Sequence, residues 1–371
     1  MVFTKEKTSV CKGVGILFLI FHHLFRTIET IQGHEIVFYL LDDSQAAQLA
    51  TALRVCVWIF AFLSAYGLSV KYMGLSENKK PAFVVRQWPS LMGSYWFVFI
   101  PSAVAYVLLG HNLWGKYDGK LLNLLLDGFA WSDFFHTPLL MGVYWYMCFA
   151  QIQLLVIPAL HLFCKKLGYL TIPVTFLLMQ LISGGISSPY GGDYLNYLIV
   201  TIIGVLFAQK DLLNRLAARL RTLRWRFCVG ILLILIAVVA LYWEESLRAI
   251  DTWRLRSVLY MVAAVSVCIW GGLILRGKAC ETVLGFLGKY SGDMFLIHVF
   301  LMSYTPGIVY ISSSWILVYL VVVAESLVLS IIIEKLKEWT HYNLLISKLS
   351  ATAEKWAIPG KRTPQNSCNV D

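Results

Sequence analysis

Apolar residues run along this chain in blocks of about 17–25, broken by short basic stretches, from near residue 13 to near residue 334. A run of that length crosses a bilayer whose hydrocarbon core is ~30 Å thick. Read as helices, the blocks number ten, at 13–31, 50–72, 88–109, 139–163, 170–187, 194–209, 227–243, 257–275, 293–311 and 314–334. The expected fold class is all-α, a polytopic membrane protein with about ten transmembrane helices. The first block follows Lys5, Lys7 and Lys12, but it is too long for a removable signal peptide and no small-residue cleavage motif follows it. Residues 112–137 are mixed, and an amphipathic piece around 121–129 reads as interfacial. The domain reading is a ten-helix unit over 1–340 and a polar cytoplasmic tail over 341–371, disordered after Pro359.

Composition points the same way. Hydrophobic residues make up 58% of the 371 and charged residues 14%, with a mean hydropathy of +0.69. Soluble domains carry roughly half apolar and about a quarter charged residues, so a soluble enzyme, a disordered chain and a secreted disulfide scaffold are excluded. The net charge of +10 is unevenly placed. Ten spans put both termini on one face, and 24 of the 31 Lys and Arg residues fall in the loops and ends of that face. This is the positive-inside pattern, which places both termini in the cytoplasm. The surplus charge is thereby a topological signal, and nucleic acid is not an expected partner. The eight cysteines, at 11, 56, 148, 164, 228, 268, 280 and 368, form no C-x-x-C or Cys/His cluster. Packing is the expected role of most, and no metal site is expected.

Ionisable groups at bilayer depth are costly, so each is a functional candidate. The first helix carries Lys12, His22, His23 and Arg26. Lys12 and His23 are eleven residues apart, which leaves them about 20° from a shared face and roughly 16 Å apart along the axis. His22 points about 80° away by the same geometry. A cation at the cytoplasmic mouth and an imidazole near mid-membrane suit a long anionic-headed molecule entering from the cytosol. A snorkelling lysine and a packing histidine would look the same on this helix alone. Arg86, Tyr95 and Trp96 open the third helix, where an interface anchor is the competing role. His298 follows Ser291 and Asp293 into the ninth helix, and Glu325 stands among apolar residues in the tenth. A backbone hydrogen bond would suffice to explain the first and helix–helix bonding the second. Gly184-Gly185 and Gly191-Gly192 flank an outer turn rather than a phosphate loop, because no strand leads into a helix there. No Walker motif, nucleophile elbow or H-E-x-x-H occurs.

Several of these segments, in order, resemble the membrane acyltransferase-3 family. Lys12 and His23 are similar to its basic residue, ten intervening residues and histidine. Phe60-Ala-Phe-Leu-Ser64-Ala-Tyr-Gly resembles its aromatic second-helix segment, and Arg86 through Tyr95-Trp96 its arginine-rich entry to the third helix. Tyr144-Trp145-Tyr-Met and the run to Pro158, the stretch 291–298, and Glu334-Lys335 resemble its later motifs. The chain departs from the pattern in having Lys at position 12, Ala65 after Ser64, and Ser90 and Gly93 where a second Arg and a Pro are usual.

The resemblance implies an O-acyltransferase that moves an acyl group, usually acetyl, from cytosolic acyl-CoA to a hydroxyl of a cell-surface glycan or lipid-linked sugar. The implied location is the bacterial cytoplasmic membrane, multi-pass. His23 and His298 would be catalytic, and Lys12 and Arg86 would bind acetyl-CoA or another acyl-CoA. His22, Ser64, Tyr95, Trp96, Trp145 and Glu325 would support them. A proton-coupled transporter or exporter of a glycan or small acid would use His23, His298 and Glu325 as a relay. The chain lacks the paired Gly/Pro-broken helices of that class. A structural subunit of a polysaccharide assembly is the third reading.

Overall fold

The computed structural model describes residues 3–182, 187–189, 192–220, 222–247, 253–275 and 277–357. Gly184, Gly185, Gly191 and the chain from residue 358 onward lie outside the described residues. The helices are α1 (Lys5–Phe25), α2 (Ile28–Gly33), α3 (Asp43–Ala52), α4 (Cys56–Met73), α5 (Phe83–Leu108), α6 (Leu113–Lys116), α7 (Leu121–Gly128), α8 (Trp145–Leu167), α9 (Thr171–Leu181), α10 (Leu198–Gln209), α11 (Leu212–Arg219), α12 (Leu223–Leu247), α13 (Trp253–Ile269), α14 (Lys278–Tyr304), α15 (Pro306–Val309), α16 (Trp315–Trp339) and α17 (Tyr342–Ala357). Two two-residue strands, β1 (Ser187–Ser188) and β2 (Gly192–Asp193), pair antiparallel. The all-α membrane architecture is as the apolar pattern requires.

Among the described residues, seven helical stretches are long and apolar enough to cross a membrane, or eight if the bent pair Tyr194–Gln209 and Leu212–Arg219 is one span. The count of ten is not reached on length and hydropathy. Residues 142–181 run as one 40-residue stretch where two blocks were expected, broken only at Gly168, whose φ of 57° lets the chain turn. α14 falls outside the set because Lys289, Asp293 and His298 interrupt its apolar run.

Boundaries shift most in the ninth helix, expected over 293–311 and found as α14 at Lys278–Tyr304, and next in the first helix. It was expected over 13–31 but occupies Lys5–Phe25, because Thr4 caps its start and Thr27, in extended conformation, stops it and caps α2. His23 therefore sits in the last turn of α1, at the end of the helix rather than near its middle. α2 and α3 fold over that end. A reciprocal capping box between Asp42 and Gln45 starts α3, and Val37 pairs with Ser313 and Trp315 ahead of α16. His34 stacks on Tyr310, with ring centroids 3.6 Å apart, so the loops on the face away from the basic residues form one cap.

α1 and α14 run side by side in the same direction. Lys7 pairs with Glu281 at 2.8 Å near their starts, and His23 meets His298 near their ends. Between these points the backbones touch. A Cβ on Gly13 would stand 2.0 Å from the Leu284 carbonyl oxygen, and one on Gly288 would stand 1.7 Å from that of Ser9. Small residues permit this approach, and in a membrane close packing is what holds helices together. The segment 112–137, expected to be interfacial, packs against α5 through Asp127, and α17 lies along the start of α5.

Candidate active site

The site grows from the α1–α14 contact. Gly13 and Gly288 are each ten residues before a histidine. Two parallel helices in contact at one pair of residues are therefore in register for the pair ten residues on, and the His23 and His298 rings lie 5.0 Å apart, tilted by 54°. His298 is fully buried. Its Nδ1 faces the Phe295 carbonyl oxygen at 2.9 Å and that of Met294 at 3.2 Å. Two acceptors on one nitrogen assign the proton to Nδ1 and leave Nε2 as a bare lone pair. That Nε2 is buried and has no hydrogen-bond partner among the described residues. His23 is half-buried, so a neutral acceptor nitrogen sits behind an accessible imidazole. Such a pair can take a proton from a hydroxyl and hold it.

His22 turns the other way. Its Nδ1 lies 2.7 Å from the Ala50 carbonyl oxygen, which ties α1 to α3 and fixes the ring beside His23, at 5.1 Å between centroids. Arg26 and Arg54 flank His23. Arg54 also reaches the Tyr197 hydroxyl, and Tyr197 packs 4.8 Å from Trp58 and 5.7 Å from Trp145. Trp145 thus joins the site through Tyr197 rather than by touching a histidine. Ser64 lies next to the Tyr146 hydroxyl, which has no hydrogen-bond partner among the described residues. The Tyr146 ring packs on Phe295 at 5.1 Å, and Phe60 lies 6.4 Å from the same ring. Aromatic side chains from α4, the start of α8 and α14 therefore pack in a chain that ends at His298, whose ring lies 6.2 Å from that of Phe295.

On that face Lys12 stands beside Lys71, and Lys71 is flanked by Lys5 and Arg86. Lys71 also donates to Gln87 Oε1 at 3.3 Å. A row of like charges on four separate turns of chain is chemically suited to a multiply charged anion. Arg86 is already engaged, 3.2 Å from Glu354 of α17.

The remaining candidates lie elsewhere. Tyr95 donates its hydroxyl to the Asp127 carbonyl oxygen at 2.8 Å and Trp96 its indole N–H to that of Gly128 at 2.8 Å. Both fasten the 112–137 segment to α5 and neither is brought to the histidines. Glu325, on α16, has a buried Oε2 with no hydrogen-bond partner among the described residues. Arg54, Lys71, Tyr146 and Tyr197 were not singled out in the sequence. Arg54 is one of only seven basic residues outside the basic face, and Tyr146 stands inside the quoted Tyr144–Met147 motif, so a signal existed for both.

A bundle of apolar helices thus holds the His23 and His298 imidazoles side by side near the ends of α1 and α14, with a group of cations on the basic face. The acyltransferase-3 family model, an acyltransferase domain, matches residues 9–335, and the chain belongs to that family. Comparison with curated proteins and with solved structures gives no significant match. The protein is a membrane acyltransferase.

Proposed function

We propose that this acyltransferase moves an acetyl group, or another short acyl group, from cytosolic acyl-CoA to a hydroxyl of a cell-surface glycan or lipid-linked sugar, in the cytoplasmic membrane of a bacterium. The observation that carries the reading is the His23–His298 pair, in which a buried, tautomer-fixed imidazole backs an accessible one. Lys12, Lys71 and Arg86 would hold the CoA phosphates, and the pantetheine arm would run along Phe60 and Phe295 to the imidazoles. The acceptor oxygen attacks the thioester carbon as His23 takes its proton. The C–S bond then breaks, and the proton passes to the departing thiolate, so that ester and free CoA are the products. His298, held by its Nδ1 on the Phe295 and Met294 carbonyls, would position the His23 ring by packing against it.

Purified protein given labelled acetyl-CoA and an acceptor glycan should release one CoA for each label transferred. Mass spectrometry of surface glycans from cells with and without the protein should show the matching ester. Movement of a glycan or acid across the membrane with no CoA released would instead support the transporter reading and overturn this one.

A further inference from the structure

A cavity of about 350 Å³ opens between the first turns of α5 and the length of α17. Its wall holds the Arg86 guanidinium and the hydroxyls of Ser90, Ser94, Ser347 and Ser350. Lys337 also reaches it, but that ammonium is committed to Asp293 at 2.9 Å and Glu334 at 2.8 Å. Arg86 is thereby the cation this cavity can offer a ligand. α17 is held on α5 independently of charge. Tyr342 donates to the Gly93 carbonyl oxygen at 3.1 Å, and Ile346 fills the space beside Gly93, where a Cβ would meet its side chain at 2.8 Å. From that docked helix Glu354 reaches back to Arg86 at 3.2 Å, with Lys79 3.8 Å away. Its carboxylate sits where an incoming anion would have to bind.

Hydroxyl donors around a guanidinium are a phosphate-binding set. We propose that the α5–α17 cavity is a subsite for the phosphates of the acyl-CoA nucleotide, and that Glu354 is an internal anion that the nucleotide displaces from Arg86. This rests on the reading of acyl-CoA as donor. α17 is then one wall of the donor site, contributing Ser347 and Ser350, and its carboxylate sets how tightly the donor binds. The cavity takes in Arg86, whose charge neighbours Lys71, and Lys71 neighbours Lys12, so nucleotide phosphates seated there would meet that row of cations at Arg86.

The test is CoA affinity of the full-length protein in nanodiscs of zwitterionic lipid, for wild type, R86Q, E354Q and S347A/S350A. R86Q should weaken binding. E354Q should tighten it about two- to fivefold, the range set by releasing a partly exposed ion pair. S347A/S350A should weaken it without touching the histidine site. If R86Q leaves CoA affinity unchanged, the donor reading at this face fails and the inference falls with it. If R86Q weakens binding while E354Q changes nothing, the competition by Glu354 is overturned and the donor reading stands. If E354Q alters thermal stabilisation by anionic lipid but not by CoA, the cavity takes a lipid headgroup phosphate and the nucleotide assignment is overturned. Should E354Q loosen α17, hydrogen exchange over 342–357 in the absence of ligand would rise. A weakened affinity with that rise would make Glu354 a docking contact and count against the competition.

Discussion

Gly288 of α14 lies so close to Gly13 of α1 that a Cβ on Gly288 would stand 2.9 Å from the Gly13 nitrogen. This contact sets the register of the two histidines ten residues further on. Placing a methyl group on Gly288 must push the helices apart, because the obstacles are backbone atoms of Ser9 and Gly13 rather than flexible side chains. A shift of about 1 Å at the reacting groups costs up to ~10²-fold in rate. Gly288→Ala is therefore expected to lose most acyl transfer while the protein still inserts. Gly292→Ala, where an added Cβ meets nothing within 4 Å, should keep it. Equal activity in the two variants, assayed on the purified proteins, would remove the register argument.

The histidine pair makes a second expectation. General-base assistance is worth ~10²–10⁴ in rate, so His23→Ala should abolish transfer within the limits of a cell assay. His298→Ala should lower kcat and leave acyl-CoA affinity unchanged, since His298 is fully buried behind the accessible ring. Near-normal glycan acylation in the His23 variant would defeat its assignment. A His298 variant with intact kcat would reduce that residue to packing.

How far the sequence carried this picture depends on what each feature is made of. Apolar block lengths are additive along the chain, so the helices were readable, and eleven residues place Lys12 and His23 on one face of any helix. The depth of His23 was not readable. It depends on Thr4 and Thr27 as caps, and short polar residues next to a long apolar run leave the ends of the run ambiguous. The His23–His298 meeting was equally hidden, because it arises from the Gly13–Gly288 contact across 275 residues of sequence. Tyr95 and Trp96 were legible as important but not as fasteners of Asp127 and Gly128, because a contact across 32 residues of sequence leaves no periodic signal. Arg86 was legible as a cation, whereas its partner Glu354 lies in a stretch read as a polar tail.

Lys12 offers a test that separates binding from chemistry. It lies beside Lys71 on the basic face, eleven residues from His23. Lys12→Ala should raise the acyl-CoA concentration needed for half-maximal transfer by about tenfold, as expected for loss of one charge-assisted phosphate contact worth ~1.5 kcal/mol. The maximal rate should change little, and Lys12→Arg should restore most of the affinity. An unchanged acyl-CoA requirement in Lys12→Ala would sink the phosphate role.

Asp127, in the segment between α5 and α8, gives a pH-dependent signal. Burial pushes its carboxyl up to about 6, although Tyr117, the Leu140 amide and Tyr95 all donate to it. The folded protein holds this proton more tightly than the unfolded chain, so the stability it confers is complete below pH ~4. That stability is lost as pH rises through about 6. The shift corresponds to roughly 3 kcal/mol at most. In detergent, the wild-type melting temperature should therefore fall relative to that of Asp127→Asn between pH ~5 and ~7. A difference that stays constant with pH would show that Asp127 does not titrate in this range.

Lys337, Asp293 and Glu334 supply the last expectation. The ammonium is 4% exposed and lies 2.9 and 3.0 Å from the two Asp293 oxygens, which joins the end of α16 to the middle of α14. Asp293 is five residues before His298, so this bond anchors the helix that presents the imidazole. Removing one partner of a buried pair strands the other charge, at a cost of about 3–5 kcal/mol. Replacing both with apolar residues of similar volume is often neutral. Lys337→Met should therefore be strongly destabilised, while Lys337→Met combined with Asp293→Leu should recover much of the loss. Glu334, 2.8 Å from the same ammonium and one-third exposed, can turn to water in the double variant and should not oppose the recovery. If thermal unfolding in detergent shows the two losses simply adding, the pair is not coupled and α14 is held by packing alone. If the double variant is stable but transfers acyl groups slowly, the bond serves to place His298 rather than to hold the fold.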